Sequence, residues 1–151
     1  MKDTPMTKPL LIGVGNDFAS DDAAGRLVAR RLRDSGNFNI AETHGAAADL
    51  VTLMEGQDHV IIVDACSSGA APGTLHRIDG MTDNLPGWLR SVSSHGIGVA
   101  EGIQLAYVLG ELPARIDILA IEGQNYANGE SLTPEVAATI DQLVGELSDG
   151  V

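Results

Sequence analysis

Two aspartates and one histidine lie in this chain where an apolar run gives way to polar residues. Asp22 ends the segment GVGNDFASDD, Asp64 lies in HVIIVDAC, and His95 lies in SSHGIG. Two carboxylates and an imidazole offer the mixed oxygen and nitrogen ligands that suit a divalent transition metal. We therefore predict a metal-contacting and catalytic site made of these three residues, provided that the fold brings them together.

Each of the three residues also has a purely structural interpretation. Asp22 is at the start of a predicted helix, where capping and the helix dipole favour an acidic side chain, and Ser20 or Asp21 is an alternative cap. His95 is near another helix start and has a similar alternative role. Asp64 is harder to explain in this way, because an aspartate that ends a Val-Ile-Ile-Val run is costly to bury unless it is paired, hydrogen-bonded or coordinating.

The elements that would position these residues follow from the hydropathy pattern. Apolar runs alternate with segments of helical periodicity, which predicts an α/β fold with a mostly parallel sheet. The predicted strands are Pro9–Val14, Phe38–Thr43, His59–Ala65, Gly73–Asp79 (antiparallel or at an edge) and Ile116–Ile121. The predicted helices are Asp22–Ser35, Asp49–Met54, about Gly96–Gly110, and one that starts at Thr133-Pro134-Glu135, where a cap, a proline and an acidic first turn follow one another.

Topology suggests how the site would form. In open parallel sheets the ligand crevice lies beyond the carboxyl ends of the strands, where the strand order reverses. If the strand that starts at His59 pairs with the first strand, Asp22 and Asp64 face the same cleft. His95 comes from a later loop and would have to fold over the same edge.

Composition limits the class of protein. The chain has 151 residues, of which 44% are hydrophobic, enough to bury one sizeable core but hardly two, so we expect a single domain over residues 1–151. A formal net charge of -12 argues against nucleic acid and anionic membranes as partners. The polar amino-terminal segment and the single cysteine, Cys66, lead us to expect a cytoplasmic protein.

Other chemistry is poorly supported by the sequence. Phe18 stands where a dinucleotide-binding fingerprint would need its third glycine, and Gly13 and Gly15 are better explained by a tight turn with close backbone approach. Neither a Gly-x-Ser-x-Gly elbow nor a His-Glu-x-x-His helix is present. Cys66 is interpreted as a small buried hydrophobe, and the remaining histidines as structural or surface residues: His44, His59 and His76.

The order of several motifs resembles that of the hydrogenase maturation proteases along nearly the whole chain. The shared motifs are GVGN, Ser20-Asp21-Asp22, HVIIVDA, Pro72-Gly73-Thr74, SSHGIGVAE, Ile116–Glu122 and Leu132-Thr133-Pro134. The resemblance implies a three-layer α/β/α sandwich of the phosphorylase/hydrolase-like type. It also implies an endopeptidase that removes the C-terminal extension of a nickel-iron hydrogenase large-subunit precursor after nickel insertion, recognising the nickel that the precursor carries. The metal-contacting positions implied by the motifs are Asp22, Asp64 and His95.

Two positions depart from the family pattern. The first carboxylate is often a glutamate in the family, whereas Asp22 is one methylene shorter, and only Gly45 remains of a glycine-rich turn that engages substrate. Two other hypotheses use the same cleft. One is a nickel-sensing binding module or assembly checkpoint that does not cleave its partner, and the other is a small-ligand binder on a Rossmann-like sheet.

Overall fold

In the part of the chain that the structure describes, five strands and four α-helices alternate along most of the sequence. The computed structural model describes residues 8–82, 84–89, 98–127, 129 and 131–149. The strands are β1 (Leu10–Val14), β2 (Asn39–Thr43), β3 (His59–Cys66), β4 (Leu75–Asp79) and β5 (Arg115–Glu122). The helices are α1 (Ala24–Leu32), α2 (Ala47–Met54), α3 (Val99–Leu109) and α4 (Pro134–Ser148), and short 3₁₀ turns occupy Ser20–Ala23, Arg33–Ser35 and Gly87–Leu89.

The strands form one sheet in the order β2-β1-β3-β5-β4. β1, β2, β3 and β5 are parallel, whereas β4 runs antiparallel to β5 at the edge, as its alternating pattern predicted. The predicted pairing of β1 with β3 is also confirmed, with Leu10 opposite Val60 and Gly13 opposite Val63. The four parallel strands therefore end at the same edge of the sheet.

Helices cover both faces of the sheet, because neighbouring residues of a strand point to opposite sides. One core contains Leu10, Ile12 and Val14 of β1 together with buried residues of α2 and α3. The other contains Leu11 of β1 together with buried residues of α1 and α4. This three-layer α/β/α arrangement confirms the predicted fold class.

The first predicted helix is divided into three segments. Residues 20–23 form a 3₁₀ turn, α1 follows, and a second 3₁₀ turn leads to Gly36, whose φ of 78° ends the helix as predicted. Ser20 has a φ of 47°, a conformation that few non-glycine residues adopt. The chain therefore turns sharply just before Asp22 instead of entering a regular helix there.

Among the residues that the structure describes, every helix is too short or too polar to cross a bilayer.

Candidate functional site

Glycines bring the turn that carries Asp22 against the sheet. At Gly15, φ is 155° and a Cβ would lie 2.0 Å from the carbonyl oxygen of Asp22. At Gly25, a Cβ would lie 2.1 Å from the carbonyl oxygen of Val63. Because both contacts are closer than any side chain allows, only glycine permits this packing. The turn after β1 therefore packs closely on itself, and the start of α1 lies directly against Val63, the residue that precedes Asp64.

Asp21 anchors the same turn to the segment between β5 and α4. Its buried carboxylate accepts hydrogen bonds from the backbone N–H groups of Gln124, Asn125 and Thr133, at 2.8 to 2.9 Å, and from the Thr133 hydroxyl at 2.6 Å. Thr133 precedes α4 as predicted, but its hydroxyl donates to Asp21 and makes no capping hydrogen bond to the helix. Asp21 is therefore structural, whereas Asp22, the next residue, is buried near Asp64.

Asp64 lies where β3 reaches the carboxyl edge of the sheet. The backbone N–H of Ala65 donates to its Oδ1 at 2.8 Å. Asp64 is partly exposed as a residue, whereas the four residues before it, 60–63, are buried. The buried strand therefore holds this carboxylate at the carboxyl edge of the sheet.

The two carboxylates are close enough to influence each other's ionisation. Burial, and then repulsion from Asp22, raise the pKa of Asp64 well above its usual value. Burial raises the pKa of Asp22 to about 6, an effect that the N–H of Asn16 and the charge of His44 partly offset. Among the described residues, neither carboxylate has a partner in an ion pair. Such a pair binds protons or a cation more readily than two solvated aspartates do.

His44 adds an imidazole near this pair. It follows β2, it is exposed, and its charge lowers the pKa of Asp22. The sequence interpretation placed His44 among the structural or surface residues. Its position in the turn directly after β2 could have indicated that it lies near the acidic pair.

The structure brings together two of the three predicted site residues. Asp22 and Asp64 lie at the same sheet edge, as the strand order predicted, while His95 lies outside the described residues. Two adjacent carboxylates that repel each other form an acidic pair that can hold a divalent cation. The contribution of His95 to this site stays a prediction.

A second polar cluster at this sheet edge went unrecognised in the sequence. Cys66, His76 and Glu122 place one potential ligand atom each within 4.8 Å of one another. Glu122 ends the apolar run of β5 just as Asp64 follows that of β3, so the same pattern was available as a signal. Cys66 is buried, as expected for a small hydrophobe, but its thiol faces the Glu122 carboxylate at 3.4 Å.

Comparison with known proteins identifies a family. The sequence model described as "Hydrogenase maturation protease" matches residues 24–149. The chain is 28% identical to the Hydrogenase 2 maturation protease of Escherichia coli over 144 residues, covering 91% of this chain and 87% of that protein. It is also 28% identical over 162 residues to the hydrogenase expression/formation protein HupD of Rhodobacter capsulatus, covering 94% of this chain and 71% of that protein.

Solved structures agree with the sequence comparison. The hydrogenase maturating endopeptidase HybD of Escherichia coli superposes with a TM-score of 0.77 at 26% identity, covering 93% of this chain and 90% of that one. The hydrogenase maturation protease HybD of Thermococcus kodakarensis shares the fold with a TM-score of 0.75 at 24% identity, covering 95% of this chain and 98% of that one.

Proposed function

Because this chain belongs to the hydrogenase maturation protease family, we propose that it removes the C-terminal extension of a nickel-iron hydrogenase large-subunit precursor after nickel insertion. The observation that carries this proposal is the adjacent acidic pair, Asp22 and Asp64, held at the carboxyl edge of the sheet. Asp22 is buried and Asp64 is partly buried, and neither has an ion-pair partner among the described residues. Such an arrangement is costly for a folded chain and is typical of functional sites.

The nickel in this proposal belongs to the substrate. Asp22 and Asp64 offer two carboxylates whose mutual repulsion a bound dication would relieve. His95 would supply an imidazole nitrogen, a ligand that nickel accepts readily. A precursor that carries nickel therefore gains binding energy that a nickel-free precursor does not, which makes cleavage conditional on metal insertion.

Water is the simplest nucleophile for the cleavage step. Burial, and then the neighbouring Glu122 carboxylate, raise the pKa of the Cys66 thiol, so this residue is not a ready thiolate nucleophile. In the proposed reaction water attacks the scissile carbonyl, which the substrate's nickel polarises as a Lewis acid. Asp22 and Asp64 would position the metal, and one of these two carboxylates would accept a proton from the water and pass it to the amine nitrogen of the departing C-terminal peptide.

The proposal is tested by processing of a purified precursor that is nickel-loaded or nickel-free. We expect the wild-type protein to shorten only the loaded precursor, and Asp64→Asn and His95→Ala to reduce the rate at least about 100-fold. Asp58→Asn is the matched control, because Asp58 is exposed and immediately precedes the opposite end of β3. Its rate should equal that of the wild type.

Mass spectrometry of the precursor identifies each outcome. Loss of a C-terminal peptide only from the loaded precursor supports a nickel-recognising endopeptidase. Equal cleavage by the wild type and by the Asp64 and His95 variants would refute it. An intact precursor in a stable, nickel-dependent complex would indicate the checkpoint function in place of proteolysis.

A further inference from the structure

The second polar cluster joins three strands at the carboxyl edge of β3 and β5. Cys66 ends β3, Glu122 ends β5 directly opposite it, and His76 comes from the antiparallel edge strand β4. Cys66 and Glu122 are each 2% exposed, and His76 is half-buried. These residues are far apart in sequence, so only the folded sheet creates the cluster.

Three groups converge on one oxygen of Glu122. Its Oε1 is contacted by the Ser68 hydroxyl at 2.6 Å, by His76 Nε2 at 3.1 Å and by Cys66 Sγ at 3.4 Å. Its other oxygen accepts a hydrogen bond from the backbone N–H of Ser68, at 2.9 Å. A carboxylate oxygen has two lone pairs, so three donors exceed what Oε1 can accept with good geometry. A cation that replaces the thiol and imidazole protons would remove this crowding.

Two of the three ligand spacings are close to those of a tetrahedral zinc site, and the third, between Cys66 Sγ and His76 Nε2, is within 4.8 Å. With Zn–S near 2.3 Å and Zn–N and Zn–O near 2.0 to 2.2 Å, tetrahedral angles place neighbouring ligand atoms about 3.4 to 3.6 Å apart. The separations of 3.1 Å from His76 Nε2 and 3.4 Å from Cys66 Sγ to Glu122 Oε1 lie within a few tenths of an ångström of that range. A thiolate, an imidazole and a carboxylate are all zinc ligands.

We propose that Cys66, His76 and Glu122 bind one Zn²⁺ ion, with water as the fourth ligand. On binding, the Cys66 thiol releases its proton to solvent, and the His76 ring loses the proton that Nε2 donates to Glu122 and carries its single remaining proton on Nδ1, exchanged through solvent, so that the Nε2 lone pair coordinates. Glu122 retains both hydrogen bonds from Ser68, which orient the carboxylate. The ring of Trp88, with its centroid 4.7 Å from that of His76, fixes the imidazole.

This site is chemically distinct from the acidic pair. Its thiolate favours a soft or borderline cation such as zinc, whereas Asp22 and Asp64 offer hard oxygen ligands. The inference does not depend on the proposed proteolysis, because it concerns an ion held by this chain alone.

The test uses the reduced, chelator-treated full-length protein titrated with Co²⁺ and then with Zn²⁺. We expect one Co²⁺ per chain, with tetrahedral d–d bands and a thiolate-to-cobalt charge-transfer band in the near ultraviolet, and we expect Zn²⁺ to displace it. Cys66→Ser should abolish the charge-transfer band, and His76→Gln should weaken binding about 100-fold. His59→Gln is the matched control, since His59 pairs with Asp117 at 2.7 Å at the other end of the sheet. It should bind as the wild type does.

Three results would overturn the proposal. The first is a wild-type protein without a thiolate band. The second is a Cys66→Ser variant that is folded by circular dichroism and still binds cobalt with wild-type spectra. The third is binding that Asp64→Asn abolishes and Cys66→Ser preserves, which would place the ion on the acidic pair. Should Cys66→Ser fail to fold, the wild-type spectrum and the His76→Gln titration decide the question.

Discussion

Two adjacent aspartates show how local hydrogen-bond donors separate a structural acid from a functional one. Burial raises the pKa of Asp21, but donors from Asn125, Thr133 and Gln124 outweigh it and hold that pKa below its usual value. At Asp22 the single N–H of Asn16 does not outweigh burial, and the pKa rises to about 6. The same residue type therefore stabilises the turn at position 21 and provides reactive negative charge at position 22.

The raised pKa of Asp22 predicts a specific dependence of stability on pH. The folded protein binds a proton at Asp22 more tightly than the unfolded chain does, so Asp22 lowers the free energy of unfolding progressively as pH rises from about 4 to above 6. Raising the pKa from 3.8 to about 6 corresponds to about 3 kcal/mol. Asp22→Asn should match the wild type near pH 4 and exceed it by about that amount at pH 8.

Urea unfolding of both proteins across this pH range measures the effect. Asp34→Asn, at an exposed position, should follow the wild type at every pH. A difference in the free energy of unfolding between Asp22→Asn and the wild type that stays constant with pH would show that ionisation of Asp22 does not destabilise the folded protein.

At the scale of elements, much of this arrangement was predictable. The buried run before Asp64 predicted β3, and the rule for open parallel sheets placed Asp22 and Asp64 together. The pairing of β4 with β5, which brings His76 near Glu122, was not predictable in register. It depends on the antiparallel return of an edge strand that carries few apolar residues, so the hydropathy pattern specifies its register weakly. The second polar cluster could therefore be identified only from the tertiary structure.

The close approach of α1 to β3 predicts unequal effects of two glycine-to-alanine substitutions in helices. Gly25→Ala would put a Cβ 2.1 Å from the Val63 carbonyl oxygen. The helix would have to move away from the sheet, and we expect a loss of about 1 to 3 kcal/mol of stability. Gly145→Ala in α4, where a Cβ meets nothing within 4 Å, should gain about 1 kcal/mol from helix propensity.

Chemical unfolding of the two variants makes the comparison, and processing of the precursor adds a second readout. Gly25→Ala should also slow processing, because the displaced turn carries Asp22. A Gly25→Ala protein as stable as the wild type would contradict the packing described for α1 against β3.

At the scale of the whole molecule, most of the arginines that the structure describes form ion pairs with nearby acids. Glu42 is paired with Arg26, Arg30 and Arg33 at 2.6 to 3.0 Å. Burial raises the pKa of Glu42, but hydrogen bonds from these arginines outweigh it and lower the pKa to about 2. The formal net charge of -12 therefore arises from acidic groups beyond these pairs, and their repulsion opposes the compact state.

Salt should consequently stabilise this protein. At pH 8, raising KCl from about 20 mM to about 500 mM shortens the screening length from roughly 20 Å to about 4 Å, which weakens repulsion between distant acids more than attraction within close pairs. We expect the thermal midpoint of unfolding to rise by several degrees, and choline chloride to have the same effect because screening depends on ionic strength alone. A midpoint that falls with salt would mean that the arginine pairs around Glu42 contribute more than the repulsion of the remaining acids. A thermal midpoint that rises with potassium chloride but not with choline chloride would instead indicate a specific cation site. The Asp22→Asn variant neutralises one member of the acidic pair, and loss of the potassium effect in this variant would place that site at the pair.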